Sequence, residues 1–132
     1  MALNTALEGK TYPPVRVTLD EERVRAFARA VGHRGPGAPP TILTVPEIEA
    51  GLRNVVSDPE LGVDLAGVLH GEQTYEWSRP VAAGETLTAE ASIESIRGRG
   101  GLQFLTLRTD VRDERGEAVA LARSTLLIRD QA

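Results

Sequence analysis

The sequence predicts a single α+β domain over residues 1–132, with helix first and antiparallel strands after. Three observations lead there. The apolar positions of the first half recur near every 3.6 residues, the period of an amphipathic helix. From His70 onward the period falls to 2, that of a half-buried strand. Two turn signals, Arg97-Gly98-Arg99-Gly100-Gly101 and Asp113-Glu114-Arg115-Gly116, then cut the second half into strands. At 132 residues and 41% hydrophobic content the chain is long enough for one core.

Taken in order, residues 1–17 read as an extended lead-in. Tyr12-Pro13-Pro14 forbids helix there, and Val15 and Val17 alternate around Arg16 as a short edge strand. The first helix is expected to open on a capping box, with Thr18 as N-cap and Glu21 three residues on. Asp20, Glu21 and Glu22 suit the positive end of the helix dipole. Val24, Phe27, Ala28 and Val31 form its apolar stripe, and Gly32 ends it. After a Gly/Pro loop from His33 to Pro40, Thr44-Val45-Pro46-Glu47 repeats the capping-box spacing and predicts a second helix. Its apolar face is Ile48, Leu52, Val55 and Val56, and Ser57-Asp58-Pro59 stops it.

The strand region follows. Tyr75 and Trp77 share one face of a strand, with Thr74, Glu76 and Ser78 on the other, and Pro80 closes it. Leu87, Ala89, Ala91 and Ile93 face one way in the next strand. Leu102 to Arg112 and Ala118 to Ile128 complete a four-strand antiparallel meander, with helix on one face of a curled sheet. Leu126-Leu127-Ile128 is apolar on both faces, as in a central strand or a dimer interface.

Composition removes several classes of function. No cysteine is present, so there is no disulfide, thiolate metal site or cysteine nucleophile. The formal charge of −4 does not suit a nucleic-acid partner. No run approaches the roughly 20 apolar residues that span a bilayer. The N-terminus lacks the basic and apolar regions of a signal peptide, so a cytoplasmic location is expected. Lys10 is the one lysine among fifteen basic residues. Such arginine usage reads as GC-rich coding and discounts local arginine clusters as sites.

Several segments carry a resemblance: Gly9-Lys10-Thr11-Tyr12-Pro13-Pro14, the helix Val24 to Gly32, Ala38-Pro39-Pro40-Thr41, Leu69-His70-Gly71-Glu72-Gln73, and the turn from Arg79 to Leu87. In order and spacing the chain resembles the MaoC-like dehydratase family. Within it the chain is similar to the N-terminal, FAS1-like dehydratase branch, which includes the stabilising subunits of (R)-3-hydroxyacyl-ACP dehydratases. The resemblance implies a hot-dog fold, a sheet wrapped around a central helix. It implies an acyl-thioester site between two protomers, with no cofactor and no metal. Active members of the family carry a Gly-Asp-x-Asn-Pro-x-His run just after the first helix, whose Asp and His act together on a water molecule. This chain has His33-Arg34-Gly35-Pro36-Gly37 there and passes almost directly to Ala38-Pro39-Pro40.

That departure leaves candidates rather than an assigned catalytic pair. His33 stands where the family places its Asp and is a possible replacement base, against the alternative of a solvated loop histidine. His70 precedes Gly71, whose missing side chain lets backbone approach a ligand; the alternative is a buried histidine at the sheet–helix seam. Glu72 and Gln73 point to opposite faces, and an inward Glu72 would need His70 or Arg79 as partner. Glu47 and Glu49 sit where hot-dog thioesterases place a carboxylate, although Glu47 is explained by capping and Glu49 by solvation. Arg97 and Arg99 have the charge to meet phosphates of coenzyme A or a phosphopantetheine. Tyr75 and Trp77 read as packing.

The sequence therefore points to a dehydratase-related subunit without its own catalytic pair, shaping an acyl channel for a catalytic partner. Its partners would be an acyl thioester and a second hot-dog chain, in a homodimer or a heterodimer. The alternative is an active acyl-thioester enzyme, either a hydratase using His33 or His70 or a thioesterase using Glu47 or Glu49.

Overall fold

A computed structural model of the chain describes residues 2–129. Five antiparallel strands form one sheet in the order β1-β3-β4-β5-β2: β1 Val15–Thr18, β2 Val68–Trp77, β3 Thr86–Arg99, β4 Leu102–Arg112 and β5 Ala118–Arg129. The helix α1, Glu21–Val31, follows β1. A longer central helix over 40–57 runs from a 3-10 turn (Pro40–Leu43) through an α-helical turn (Thr44–Glu47) and a π-helical turn (Ile48–Leu52) to a last α-helical piece (Arg53–Ser57). The sheet curls around this helix, which is the hot-dog arrangement.

The inward faces of the long strands follow the expected period. Leu87, Ala89, Ala91 and Ile93 are fully buried on β3, and Leu105, Leu107, Thr109 and Val111 are buried on β4. Alanines at 89, 91, 120 and 122 thin the sheet wall, and Ala50 and Gly51 thin the facing side of the helix. Backbones approach closely there, so a Cβ placed on Gly51 would meet Ala91 Cβ at 3.6 Å. One half of the core gathers Val17, Leu19, Ile42, Leu43 and Leu87, and the other gathers Val55, Leu61, Ile93, Leu105 and Ile128. No helix among the described residues is long and apolar enough to cross a membrane.

Several local expectations are corrected. The N-cap of α1 is Asp20, whose side chain accepts from the Arg23 N–H at 2.8 Å. Thr18 remains in β1, with its Oγ1 2.8 Å from Thr86 Oγ1. The strand is prolonged because Leu19 is fully buried and its N–H bonds the Glu85 carbonyl. The α1 stripe is narrower than its pattern: Val24 is buried, Phe27 and Ala28 are half-buried, and Val31 is exposed. The central helix begins at Pro40 rather than Thr44, and Thr44 makes no cap bond. Ile48 is exposed, since the face laid on the sheet is Pro46, Glu47, Ala50 and Gly51.

The four late strands are not one meander. β3, β4 and β5 follow one another, but β2 pairs with β5 at the sheet edge, and residues 78–85 cross back over the sheet. This makes β5 a central strand, with Leu126 and Ile128 inward. Arg97 and Arg99 lie in β3, opposite Phe104 and Leu102, so the hairpin turn is only Gly100-Gly101. Both glycines have positive φ, +60° and +82°, which a two-residue turn of this hand requires.

Candidate functional site

Between the central helix and the β2 edge lies a cavity of about 390 Å³, within the range of small-molecule pockets. Its helix wall includes Thr44, Glu47, Ile48, Gly51 and Leu52. The sheet wall has an apolar part, Val68, Leu107 and Leu126, and a polar part, Gln73, Tyr75, Thr109 and Ser124. His70 lies at its rim, exposed to solvent.

Glu47 is the centre of this site. It is only 7% exposed, and a buried carboxylate needs partners. It has three. Tyr75 OH donates to Oε1 at 2.9 Å, while Gln73 Nε2 donates to Oε2 at 2.8 Å. Ser124 Oγ lies 2.6 Å from Oε2. Tyr75 has one proton and gives it to Glu47, so Thr44 Oγ1, 2.8 Å away, donates to the phenol oxygen. Burial, foremost, pushes the Tyr75 phenol well above its ordinary value, so it is a standing donor near neutrality. Gln73 Nε2 also reaches the Thr74 carbonyl at 3.3 Å, which fixes the orientation of the amide. Its Oε1 then accepts from His70 Nε2 at 3.0 Å and from Ser124 Oγ at 2.6 Å. Ser124 thus has two acceptors for one proton.

Two features of the main chain bring these groups together. Gln73, Ser124 and Leu107 share one rung across β2, β5 and β4, while Tyr75, Ala122 and Thr109 share the next. The π-helical turn begins directly after Glu47, at Ile48. Such turns are frequent at functional sites. Thr109 Oγ1 lines the cavity, is 1% exposed as a residue and has no hydrogen-bond partner among the described residues.

The structure corrects the reading of Glu47 as a capping residue: it points into the sheet. Glu49 is half-buried on the central helix but outside the cavity lining, and lies 3.4 Å from Arg53, one turn on. Glu72 is exposed, and Gln73 is the inward member of that pair. His70 is hydrogen-bonded as expected but exposed rather than buried. Gly71 sits at a bulge in β2. A Cβ there would run into Leu127 Cδ1, so the space left by its missing side chain is filled by Leu127. Arg79 is held by Glu85 and Asp113, at 2.7 and 3.2 Å. His33 is half-buried at the end of α1, outside the cavity lining, with Nε2 unpartnered among the described residues. Arg97 and Arg99 are exposed on the outer face of the sheet, away from the cavity. Among the described residues no three His, Cys, Asp or Glu side chains gather as a metal site would need.

Sequence reasoning missed Thr44, Thr109 and Ser124, and took Tyr75 for packing. A signal was present: Thr109 and Ser124 are hydroxyl residues flanked at i−2 and i+2 by inward apolar residues.

A curled sheet around one helix, with a cavity between them, defines a hot-dog protein, and the comparisons agree. Residues 20–122 match the family model described as FAS1-like, dehydratase domain region. A UPF0336 protein of Streptomyces coelicolor is 37% identical over 147 aligned residues, covering 98% of this chain and 97% of that protein. A UPF0336 protein of Saccharopolyspora erythraea is 33% identical over all of this chain and 95% of its own. Among solved structures, the C-terminally truncated HadBC complex, a 3R-hydroxyacyl-ACP dehydratase of Mycobacterium tuberculosis, superposes with a TM-score of 0.79. The matched chain of that complex is 26% identical, and the match covers 92% of this chain and 96% of that one. The (R)-hydratase of A. caviae, 17% identical over 90% of this chain and 94% of its own, shares the fold with a TM-score of 0.61. The chain belongs to the FAS1-like dehydratase-domain family of MaoC-like hot-dog proteins. The 147-residue alignment is longer than the 132-residue chain, so the Streptomyces relative has residues for which this chain has no counterpart.

Proposed function

We propose that this chain is a dehydratase-family subunit that lacks its own Asp/His pair and provides an acyl channel to a catalytic partner. The observation that carries the reading is the cavity wall itself. Its one carboxylate, Glu47, has its oxygens engaged by Tyr75, Gln73 and Ser124, and its one histidine, His70, stands at the solvent rim. A hydration site needs an acid and a base that reach one water beside the thioester. The short connection after Gly32 holds no carboxylate, and its His33 lies outside the cavity lining. The two-chain nature of the HadBC neighbour supports pairing with a second hot-dog chain.

A second reading rests on Glu47. A carboxylate buried against a mostly apolar cavity on the central helix is also where a thioesterase needs its nucleophile or base. Hydration of crotonyl-CoA separates the two when measured for the chain alone and mixed with a MaoC-like subunit of the same genome that carries the intact motif. Hydration only in the mixture supports the subunit. Release of free coenzyme A by the chain alone, lost in Glu47→Gln, supports the thioesterase.

A further inference from the structure

We propose that a second groove, reached past Tyr75 and walled by Trp77, is the subsite for the pantetheine arm of a thioester whose acyl tail fills the cavity. This rests on the acyl-channel reading and gives the direction in which the ligand lies.

The inference comes from the order of side chains along the cavity. Paired residues follow one another across β2 and β5: Val68 with Ile128, His70 with Leu126, Gln73 with Ser124, Tyr75 with Ala122 and Trp77 with Ala120. The central helix runs the opposite way over them. Leu52 packs against the cluster that also takes Val68, Glu47 accepts from Gln73, and Thr44 Oγ1 lies 2.8 Å from Tyr75 OH. The hollow therefore changes character along its length. One end has Leu52, Leu65, Val68 and Leu126, and the waist has Thr44, Glu47, Gln73, Tyr75 and Ser124. Past the waist a groove of about 550 Å³ continues along the same two elements, walled by Pro39, Pro40, Ile42, Trp77, Pro80 and Val81. Tyr75 belongs to the first hollow and Trp77 to the second, and their ring centroids are 5.6 Å apart. Trp77 is 46% exposed, a large aromatic left open to solvent at the groove wall.

An acyl-pantetheine has its parts in the same order. Its tail is hydrocarbon, its thioester carbonyl is polar, and its arm alternates amides with apolar carbons. The tail belongs at Leu65 and Val68, where it buries apolar surface against apolar walls. Turned round, its methylenes would cover Glu47, Gln73 and Ser124 and take them out of water. The arm then leaves the waist toward Trp77. An indole offers an apolar face and one N–H donor for an amide carbonyl, and the open groove leaves the remaining amides in water. Arg79, at the same wall, is held by Glu85 and Asp113, so the lining offers no unpaired cation to a phosphate among the described residues. The groove suits the neutral arm rather than the charged end of the carrier.

Trp77 is the only tryptophan of the chain. Fluorotryptophan incorporated into this chain alone therefore gives one fluorine signal, also in a mixture with the unlabelled motif-bearing subunit. Two ligands with one tail are compared, the pantetheine thioester and the N-acetylcysteamine thioester of decanoic acid, with binding followed by isothermal titration. The pantetheine thioester is expected to shift the Trp77 signal. The N-acetylcysteamine thioester, whose arm stops short, is expected to bind and leave the signal in place. Trp77→Ala is expected to weaken the first ligand roughly tenfold and the second less than about twofold. Equal shifts with both ligands would put the tail at Trp77 and overturn the inference, as would equal weakening by Trp77→Ala. Binding of both with no shift also overturns it and leaves the channel reading intact. Absence of binding by either, in a mixture that still hydrates crotonyl-CoA, overturns the inference but not the partnership. Absence of both overturns the two together.

Discussion

Thr109 and Glu47 are opposite cases of the same rule about buried polar groups. Thr109 has a hydroxyl with no hydrogen-bond partner among the described residues, so Thr109→Val removes a polar group without removing a side-chain bond among them. Its expected effect is a stabilisation of about 1 kcal/mol, read as a rise in Tm. Glu47 holds the Tyr75 and Gln73 donors and shares the Ser124 proton with Gln73 Oε1. Glu47→Ala strands the Tyr75 hydroxyl and one Gln73 N–H beside a cavity, while Ser124 keeps Gln73 Oε1, and is expected to cost roughly 3 kcal/mol. Glu47→Gln keeps the shape and part of the bonding and is expected to cost less. Chemical denaturation of the three variants checks the order. An unchanged midpoint in Glu47→Ala would mean that water replaces the carboxylate freely. This cluster was half legible in the sequence. Glu47 stood out as a carboxylate on a helix, but the capping-box spacing explained it locally. Its partners lie 26 to 77 residues away in sequence, and no local pattern joins them.

At the scale of elements, two ion pairs fasten connecting segments in place. Asp58, just past the central helix, accepts from Lys10 Nζ at 2.7 Å and from Tyr12 OH at 2.8 Å, tying the N-terminal lead-in to the helix end. The Lys10 ammonium, foremost, holds the Asp58 carboxyl below its ordinary value. Arg79 does the same to Glu85 in the crossing segment 78–85. Folded-state values below the unfolded ones mean stabilisation that is complete above the ordinary carboxylate range and lost as pH falls through the folded value. Asp58→Asn is therefore expected to lower Tm at pH 7. Its deficit against the parent is expected to shrink once pH drops below about 4. A deficit constant from pH 7 to pH 3 would show that packing, not charge, holds the lead-in. The elements themselves were largely legible: β4 keeps its expected bounds and the inward face of β3 its expected residues. The failures share a cause. Thr18 looked like a cap, but the buried Leu19 keeps the chain extended for two more residues. Arg97 and Arg99 looked like a turn, but pairing with β4 extends β3 past them.

At the scale of the molecule, the sheet has two edges, and they are unequal. β1 has four residues, whereas β2 has ten and carries the cavity on its inner side. A long open edge invites a further strand. Along β2, Leu69 is 65% exposed and Trp77 46% exposed. Pairing with a second hot-dog chain there would bring that chain's site against the cavity rim at His70. Hydrogen exchange is then expected to slow across residues 68–77 when the motif-bearing subunit is added. Slowing confined to α1 or to β1 would place the interface elsewhere. The place of β2 was the largest topological error of the sequence reading. Period-2 patterning says that a strand exists and which face is buried, but not which neighbour it pairs with. The crossing of 78–85 is fixed by Arg79, Glu85 and Asp113, which are 6 and 34 residues apart in sequence.

The measurement that reaches the central claim most directly is the crotonyl-CoA hydration rate of the two-chain mixture. It is made with the partner either intact or carrying Asn in place of the Asp of its Gly-Asp-x-Asn-Pro-x-His run. The account predicts hydration with the intact partner, loss of about a thousandfold or more with the Asn form, and background rates for this chain alone. Hydration by this chain alone, or a mixture indifferent to the partner's Asp, would place the chemistry in this chain and contradict the account.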